Sequence, residues 1–169
     1  MRRVVSMLLQ NEAGALARVA GMFSARGFNI DSLTVAPTHD AAVSRLTLVT
    51  FGDESVLDQI VKQSRKLVDV IDVADLTSRD YLECELLIVK VGVRPGQAPL
   101  IAACVRRHPR AVLFDESDGT RTIQFAGSHQ EIDACLTELE SVAEILELAR
   151  TGTAALDRGE VTLAIAATA

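Results

Sequence analysis

The clearest candidate for ligand chemistry in this sequence is a short polar turn, NEAG, at residues 11–14. An apolar stretch with strand-like alternation precedes the turn, and an amphipathic helical pattern follows it. Glycine at a strand-to-helix turn lets main-chain amides approach a ligand closely, and the N-terminus of the next helix favours a negative group. The turn therefore predicts a site for an anionic group, although one glycine is equally consistent with a tight turn that binds nothing.

The turn does not match the motifs that bind nucleotide phosphates. It lacks the lysine of a P-loop and the spaced glycines of a dinucleotide fingerprint. The sequence elsewhere contains no G-x-S-x-G motif, and no cysteine lies in an electropositive polar turn. Nucleotide chemistry and nucleophilic catalysis are therefore not supported, and no catalytic residue is predicted.

Titratable side chains elsewhere in the chain do not form a recognisable metal or acid–base pattern. No histidine has a second ligand at metal-site spacing, so we interpret all three as solvated surface residues and predict no metal site. Three aspartates at the end of the first half follow a strand pattern and are interpreted as solvent-facing charges. The residues concerned are His39, His108 and His129, and Asp69, Asp72 and Asp75.

The three cysteines, Cys84, Cys104 and Cys135, are far apart, odd in number and set in apolar surroundings. This pattern argues against a disulfide framework and against a zinc site. We interpret them as reduced residues of the core.

Composition excludes several further classes of function. The chain has 169 residues, 49% of them apolar, and a net charge of -6, and it has no run of five basic residues, which argues against nucleic-acid binding. No apolar run reaches membrane-spanning length, and the N-terminal MRR leads directly into a short strand, unlike a signal peptide. A globular cytoplasmic protein with no membrane partner is therefore predicted.

The first half of the chain has the element order β-α-β-β-α-β. A helix follows the first strand and ends in a basic last turn at Gly27. Strands at 28–36 and 43–51 come next. A second helix, capped by Gly52 or Asp53, precedes a strand within 66–76. The apolar spacing predicts that strand residues Val5, Met7 and Leu9 and helix residues Leu16, Val19, Ala20 and Phe23 face the core.

The second half repeats this order. Strands are expected within 81–93, 110–116, 120–127 and 142–150, with helices at 98–108 and around Ile132, Cys135, Leu136 and Leu139. Two copies of a split β-α-β unit are the simplest interpretation, which gives an α+β protein with two tandem ferredoxin-like domains. The predicted bounds are 1–78 and 79–160, followed by an apolar tail at 161–169 that could add a strand or fray.

Several segments together resemble the small regulatory subunits of acetolactate synthase, also called acetohydroxyacid synthase. These segments lie at 11–38, 44–50, 62–73 and 147–159, and the resemblance extends from Arg2 to about Gly159. Phe28, Asp31 and Ala17 depart from residues that are common in the family. The most specific part combines Asn11, Glu12, Gly14, Leu16, Arg18, Phe23, Arg26, Gly27, Asn29 and Ile30.

The resemblance implies an N-terminal ACT domain and a regulatory role without catalysis. Members activate a separate catalytic subunit and transmit feedback inhibition by valine, and in some cases by leucine or isoleucine. Thiamine diphosphate, magnesium and FAD are expected on that catalytic partner, and no cofactor is expected on this chain. Two protomers are expected to pair their sheets edge to edge, with the effector between them.

The resemblance also implies the effector site. Main-chain amides at the turn would take the carboxylate of a branched-chain amino acid, while two residues would approach from the neighbouring chain. The expected effector-binding residues are Asn11, Glu12, Ala13, Gly14, Ala15 and Leu16, with Asn29 and Ile30 from the partner.

Two alternatives from other classes remain open at this point. A free-standing amino-acid-binding ACT protein could regulate another enzyme or a transcription factor. An enzyme that acts alone is the weaker alternative, because no catalytic constellation is evident.

Overall fold

The computed structural model describes residues 1–163. The chain forms two compact units: Met1–Leu82 together with Thr153–Ala169, and Glu83–Gly152. Both are α+β and each carries the expected β-α-β-β-α-β order. The units differ from the predicted domain bounds in two respects: the second unit begins at Glu83 and not at residue 79, and the segment after Gly152 belongs with the first unit.

The first unit is a four-stranded antiparallel sheet with two helices. The strands follow the order β2-β3-β1-β4, so that β1 is central and β2 and β4 are the edges. The elements are β1 (Arg2–Gln10), α1 (Ala15–Ala25), β2 (Ser32–Pro37), β3 (Val43–Phe51), α2 (Glu54–Ser64) and β4 (Val70–Asp75).

Helix α1 begins directly after the NEAG turn but is rotated relative to the predicted core face. Its buried side chains are Ala15, Val19, Met22 and Phe23. The prediction that Leu16 and Ala20 face the core is therefore wrong, because both are exposed. When alanines lie on two neighbouring faces of a helix, both faces match the apolar spacing of a core-facing helix. Only the position of the sheet then decides which face is buried.

The central strand β1 is buried on both faces. On one face Val5, Met7 and Leu9 pack under the helices, as predicted. On the other, Val4 belongs to a smaller cluster that includes Ala155 of a late strand, β9 (Ala154–Asp157). This packing explains why the segment after Gly152 clusters with the first unit. Beyond Gly159, residues 160–163 are in no helix or strand, and 164–169 of the tail lie outside the described residues.

The second unit has a sheet with the strand order β6-β7-β5-β8. Cys104 and Cys135 are buried in its core, as predicted, but Cys84 is exposed. Strand alternation is the reason, because Glu85 and Leu87 point inward and Cys84 takes the opposite face. The elements are β5 (Tyr81–Gly92), α3 (Ala98–Arg107), β6 (Ala111–Ser117), β7 (Thr120–Gly127), α4 (His129–Val142) and β8 (Glu144–Arg150).

Across residues 1–163, the structure contains no helix that is both long enough and apolar enough to cross a membrane.

Candidate functional site

A cleft of about 230 Å³ lies at the end of β1, between the NEAG turn, the first turn of α1 and the end of strand β2. Its surface combines apolar side chains with the polar groups of the turn. A cleft of this size suits a small molecule, not a macromolecule. The lining residues are Leu9, Gln10, Asn11, Glu12, Ala15, Leu16, Val35, Ala36, Pro37 and Ser44.

Asn11 fixes the turn against the start of β3. Its main-chain amide donates to the carbonyl of Ala42 at 2.7 Å, and its side-chain Nδ2 donates to Ala41 at 2.8 Å. Ser44 Oγ donates to Asn11 Oδ1 at 3.0 Å. Because both ends of the amide are engaged, Asn11 shapes the cleft wall and positions the turn.

The N-terminus of α1 has no side-chain cap, unlike the N-termini of α2 and α4 but like that of α3, and its first amide, that of Ala15, donates to the carbonyl of Glu12 at 3.2 Å. Asp53 caps α2 and Ser128 caps α4 with side-chain hydrogen bonds, whereas no side chain caps α1. Gly14 occupies the N-cap position with φ +91°, a left-handed conformation that glycine adopts without strain. The first amides of a helix have no acceptor within the helix and carry partial positive charge, so an anion can bind there.

An ion pair that the sequence analysis did not identify lies beside this turn. Arg18 binds both carboxylate oxygens of Asp69, with Nη2 at 2.7 Å from Oδ1 and Nε on Oδ2. Asp69 is only 2% exposed, so its interpretation as a solvent-facing charge is wrong. The hydrogen bonds from Arg18 hold the pKa of Asp69 below its usual value. Arg18 lies one helical turn after Gly14, and this spacing could have indicated an arginine side chain beside the turn.

The other two aspartates of that pattern are partly buried and bind nearby main-chain amides. Asp72 Oδ1 accepts from the amide of Val73, and Asp75 Oδ1 accepts from that of Thr77, each at 2.8 Å. Both carboxylates therefore accept hydrogen bonds from the main chain within two residues of their own position.

Half of the predicted effector residues line the cleft: Asn11, Glu12, Ala15 and Leu16. Ala13 and Gly14 lie in the turn between them without lining the cleft. The lining residues that the sequence analysis missed come from the ends of the strands: Leu9, Gln10, Val35, Ala36, Pro37 and Ser44.

Asn29 and Ile30 lie away from the cleft within the same chain. The carbonyl of Asn29 accepts from Thr50 Oγ1 at 2.5 Å, whereas Ser44 lines the cleft at the other end of β3. Six residues of a strand separate Ser44 from Thr50, a distance of about 20 Å. Asn29 and Ile30 are therefore not part of the cleft of their own chain.

Two histidines also differ from the sequence interpretation. His129 lies against Arg150, with Nδ1 at 3.1 Å from Nη2, and its Nε2 is 3.2 Å from Asp133. His108 Nε2 is 2.7 Å from Glu138 Oε2. Neither is a lone solvated residue: Arg150 and Glu138 come from elements that are distant in sequence, and Asp133 lies one turn along the same helix as His129.

Comparison with known proteins matches both halves of the chain to one family. Residues 5–72 match the family model described as "AHAS small subunit-like ACT domain", and residues 84–159 match "Small subunit of acetolactate synthase".

Whole-chain relatives agree with these matches. The chain is 46% identical to the acetolactate synthase isozyme 3 small subunit of Salmonella typhimurium, over 95% of this chain and 98% of that protein. It is 45% identical to the Escherichia coli protein of the same name, with the same coverage.

A solved structure supports the same conclusion. The acetolactate synthase small subunit from Thermotoga maritima superimposes with a TM-score of 0.84 at 32% sequence identity, covering 95% of this chain and 99% of that one. The sequence matches, the ACT-type first unit and the superposition agree, and the chain belongs to the acetolactate synthase small-subunit family.

Proposed function

We propose that this chain is the regulatory subunit of an acetolactate synthase, which activates the catalytic subunit and makes it sensitive to branched-chain amino acids, valine foremost. The observation that carries the proposal is the uncapped N-terminus of α1 beside an apolar cleft, in a chain of this family. A site of this kind offers backbone donors to a carboxylate and apolar surface to an aliphatic side chain. The described residues offer no comparable catalytic arrangement there.

The cleft supplies groups for each part of an amino acid. The amides at the start of α1 would receive the carboxylate. Glu12, a lining residue of the cleft, would offer a negative partner for the ammonium group. The exposed side chains of Leu16 and Val35 would contact the aliphatic chain. One methylene changes binding in an apolar pocket by only about 1 to 3 kcal/mol, so valine, leucine and isoleucine would compete for the site.

A homodimer would complete this site. Strand β2 is a sheet edge, and an isologous dimer can form by antiparallel pairing of β2 with β2 of a second copy. Antiparallel pairing sets the start of one β2 beside the end of the other. The Asn29 and Ile30 segment of one copy, just before Ser32, would therefore approach Pro37 and the cleft of its partner.

The proposal assigns all chemistry to the catalytic subunit. Thiamine diphosphate, magnesium and FAD would bind there, and this chain would carry no cofactor for the reaction. The roles that go with it are effector binding in the first unit, predicted as residues 1–78, and a second ferredoxin-like domain that ends at Gly152, short of the predicted bound at 160, with the tail at 161–169 left without a role.

The test is reconstitution with the catalytic subunit encoded by the same genome. Acetolactate formation is measured for each component alone, for the mixture, and for the mixture over a valine titration. The proposal expects no activity from this chain alone, stimulation on mixing, and loss of the stimulated activity with valine. No stimulation would instead favour an amino-acid sensor for another protein, and activity of this chain alone would show an enzyme.

A further inference from the structure

A second group of reactive side chains lies in the other unit, between helices α3 and α4. Cys104 lies on α3, His108 follows the last residue of that helix, and Glu138 lies on α4. The thiol sulfur, a ring nitrogen of His108 and a carboxylate oxygen of Glu138 all lie within 4.8 Å of one another. Neither the effector cleft nor the proposed regulation uses these residues.

Local structure holds the three side chains in place. Cys104 and His108 are four residues apart, so they project from one side of α3. The His108 ring also packs on Phe125 at a centroid distance of 5.6 Å. Glu138 binds His108 through Oε2 at 2.7 Å and Arg107 through Oε1. Oε2 of Glu138 therefore contacts His108, a member of the group, and Oε1 is bound by Arg107, which is not a member.

The donor set is that of a borderline transition-metal ion. Thiolate, imidazole and carboxylate together suit Zn²⁺, which commonly uses three protein ligands and leaves a fourth position to water. Tetrahedral bonds of about 2.0 to 2.3 Å separate the ligand atoms by about 3.3 to 3.8 Å. Ligation would therefore open the 2.7 Å His108–Glu138 pair by roughly half an ångström, and separations near the 4.8 Å limit would have to close by about 1 Å.

The surroundings of the three side chains also bear on cation binding. Cys104 is fully buried. A bound divalent ion would supply the positive charge that a buried thiolate needs, and the thiol proton would leave to solvent on binding. Arg107 on the far oxygen of Glu138 resembles the outer hydrogen bonds that orient metal ligands.

We propose that Cys104, His108 and Glu138 form a Zn²⁺-binding site that links α3 to α4 in the second unit. Since the ligands come from both helices, the ion would stabilise their packing. Binding would favour the folded state by mass action.

The experiment uses the full chain, stripped of metal with a chelator and titrated with Co²⁺ as a spectroscopic substitute for zinc. The proposal expects one Co²⁺ per chain, a thiolate-to-cobalt charge-transfer band, and displacement by Zn²⁺. Zn²⁺ at about a hundred times its Kd should raise the melting temperature by roughly 5 to 10 °C. No charge-transfer band, with the chain folded by circular dichroism, would overturn the site.

Variants assign the ligands. Cys104→Ser should abolish the charge-transfer band, whereas the matched control Cys84→Ser, at the exposed cysteine of the same unit, should keep it. A band that survives in Cys104→Ser or disappears in a folded Cys84→Ser protein would overturn the assignment. If Cys104→Ser fails to fold, the partly exposed Glu138→Gln decides, since it should weaken Co²⁺ binding at least about tenfold. Unchanged binding in that variant would also contradict the proposal.

Discussion

Gly14 offers the sharpest test of the effector cleft, because its conformation and its charge environment can be separated by two substitutions. Its φ of +91° lies in the left-handed region, and a Cβ added there would lie 3.0 Å from Arg18 Nη1. Any side chain at this position therefore introduces strain. Asparagine and aspartate both tolerate left-handed backbone better than other residues and have nearly the same shape. The pair Gly14→Asn and Gly14→Asp differs mainly in one negative charge.

The size of the expected difference follows from the geometry of the turn. Strain at a left-handed non-glycine residue costs about 1 to 3 kcal/mol and should lower the stability of both variants alike. A carboxylate about 4 Å from the effector carboxylate adds repulsion of about 1 kcal/mol in water and about 4 kcal/mol near a protein surface. Residue 14 is exposed and Arg18 would partly neutralise the new charge, so we expect a value near the lower end. Valine should bind about tenfold more weakly to Gly14→Asp than to Gly14→Asn, since 1.4 kcal/mol corresponds to a factor of ten.

The assay measures three properties on one preparation of each variant: melting temperature, stimulation of the catalytic subunit, and the valine concentration that halves the stimulated activity. Both variants should melt at similar temperatures and both should stimulate. Only Gly14→Asp should need markedly more valine than its asparagine counterpart. If the two folded, stimulating variants respond to valine equally, no effector carboxylate lies at the N-terminus of α1, and the reasoning about this turn fails.

Three further substitutions test other parts of the structure. Asp69→Asn removes a carboxylate whose pKa is lowered by Arg18, so it should destabilise the chain at neutral pH. The stability that this carboxylate contributes is present above its unfolded pKa near 4 and is lost as the pH falls through the lower folded pKa, so the melting temperatures of variant and wild type should converge in acid. Val35→Lys, at the exposed edge β2, should shift the chain toward monomer by light scattering if the proposed edge pairing forms the dimer, and an unchanged mass would exclude that pairing. Glu85→Gln removes the carboxylate 2.7 Å from Arg150 Nε, but Arg150 keeps Asp133 at 2.9 Å, so the change should cost about 1 to 3 kcal/mol in urea unfolding, and a cost below about 0.5 kcal/mol would show that the pair contributes little.

The order of elements could be predicted from the sequence because strands and helices alternate with different periods and their ends carry local signals. Asp53 as the cap of α2 and the bounds of β3 at Val43–Phe51 follow from neighbouring residues alone. The buried face of α1 could not be predicted as well. Alanines at several positions made two helix faces equally apolar, and the choice between them depends on the sheet below.

Partnerships between distant residues were beyond the sequence pattern. Asp69 and Arg18 are 51 positions apart, and nothing local distinguishes a strand-start aspartate that faces solvent from one that an arginine covers. The same holds for His108, whose carboxylate partner Glu138 lies 30 residues later on another helix. The strand-end half of the cleft, such as Pro37, was missed because it forms only when β2 folds back beside the turn.

The central claim is that an amino-acid effector binds at the NEAG turn and the start of α1. A crystal structure of the chain grown with saturating valine tests it most directly. The claim predicts the valine carboxylate within hydrogen-bonding distance of the first amides of α1, with the side chain against Leu16 and Val35. Valine bound elsewhere in the molecule, or a cleft without valine at concentrations that inhibit the reconstituted enzyme, would contradict it.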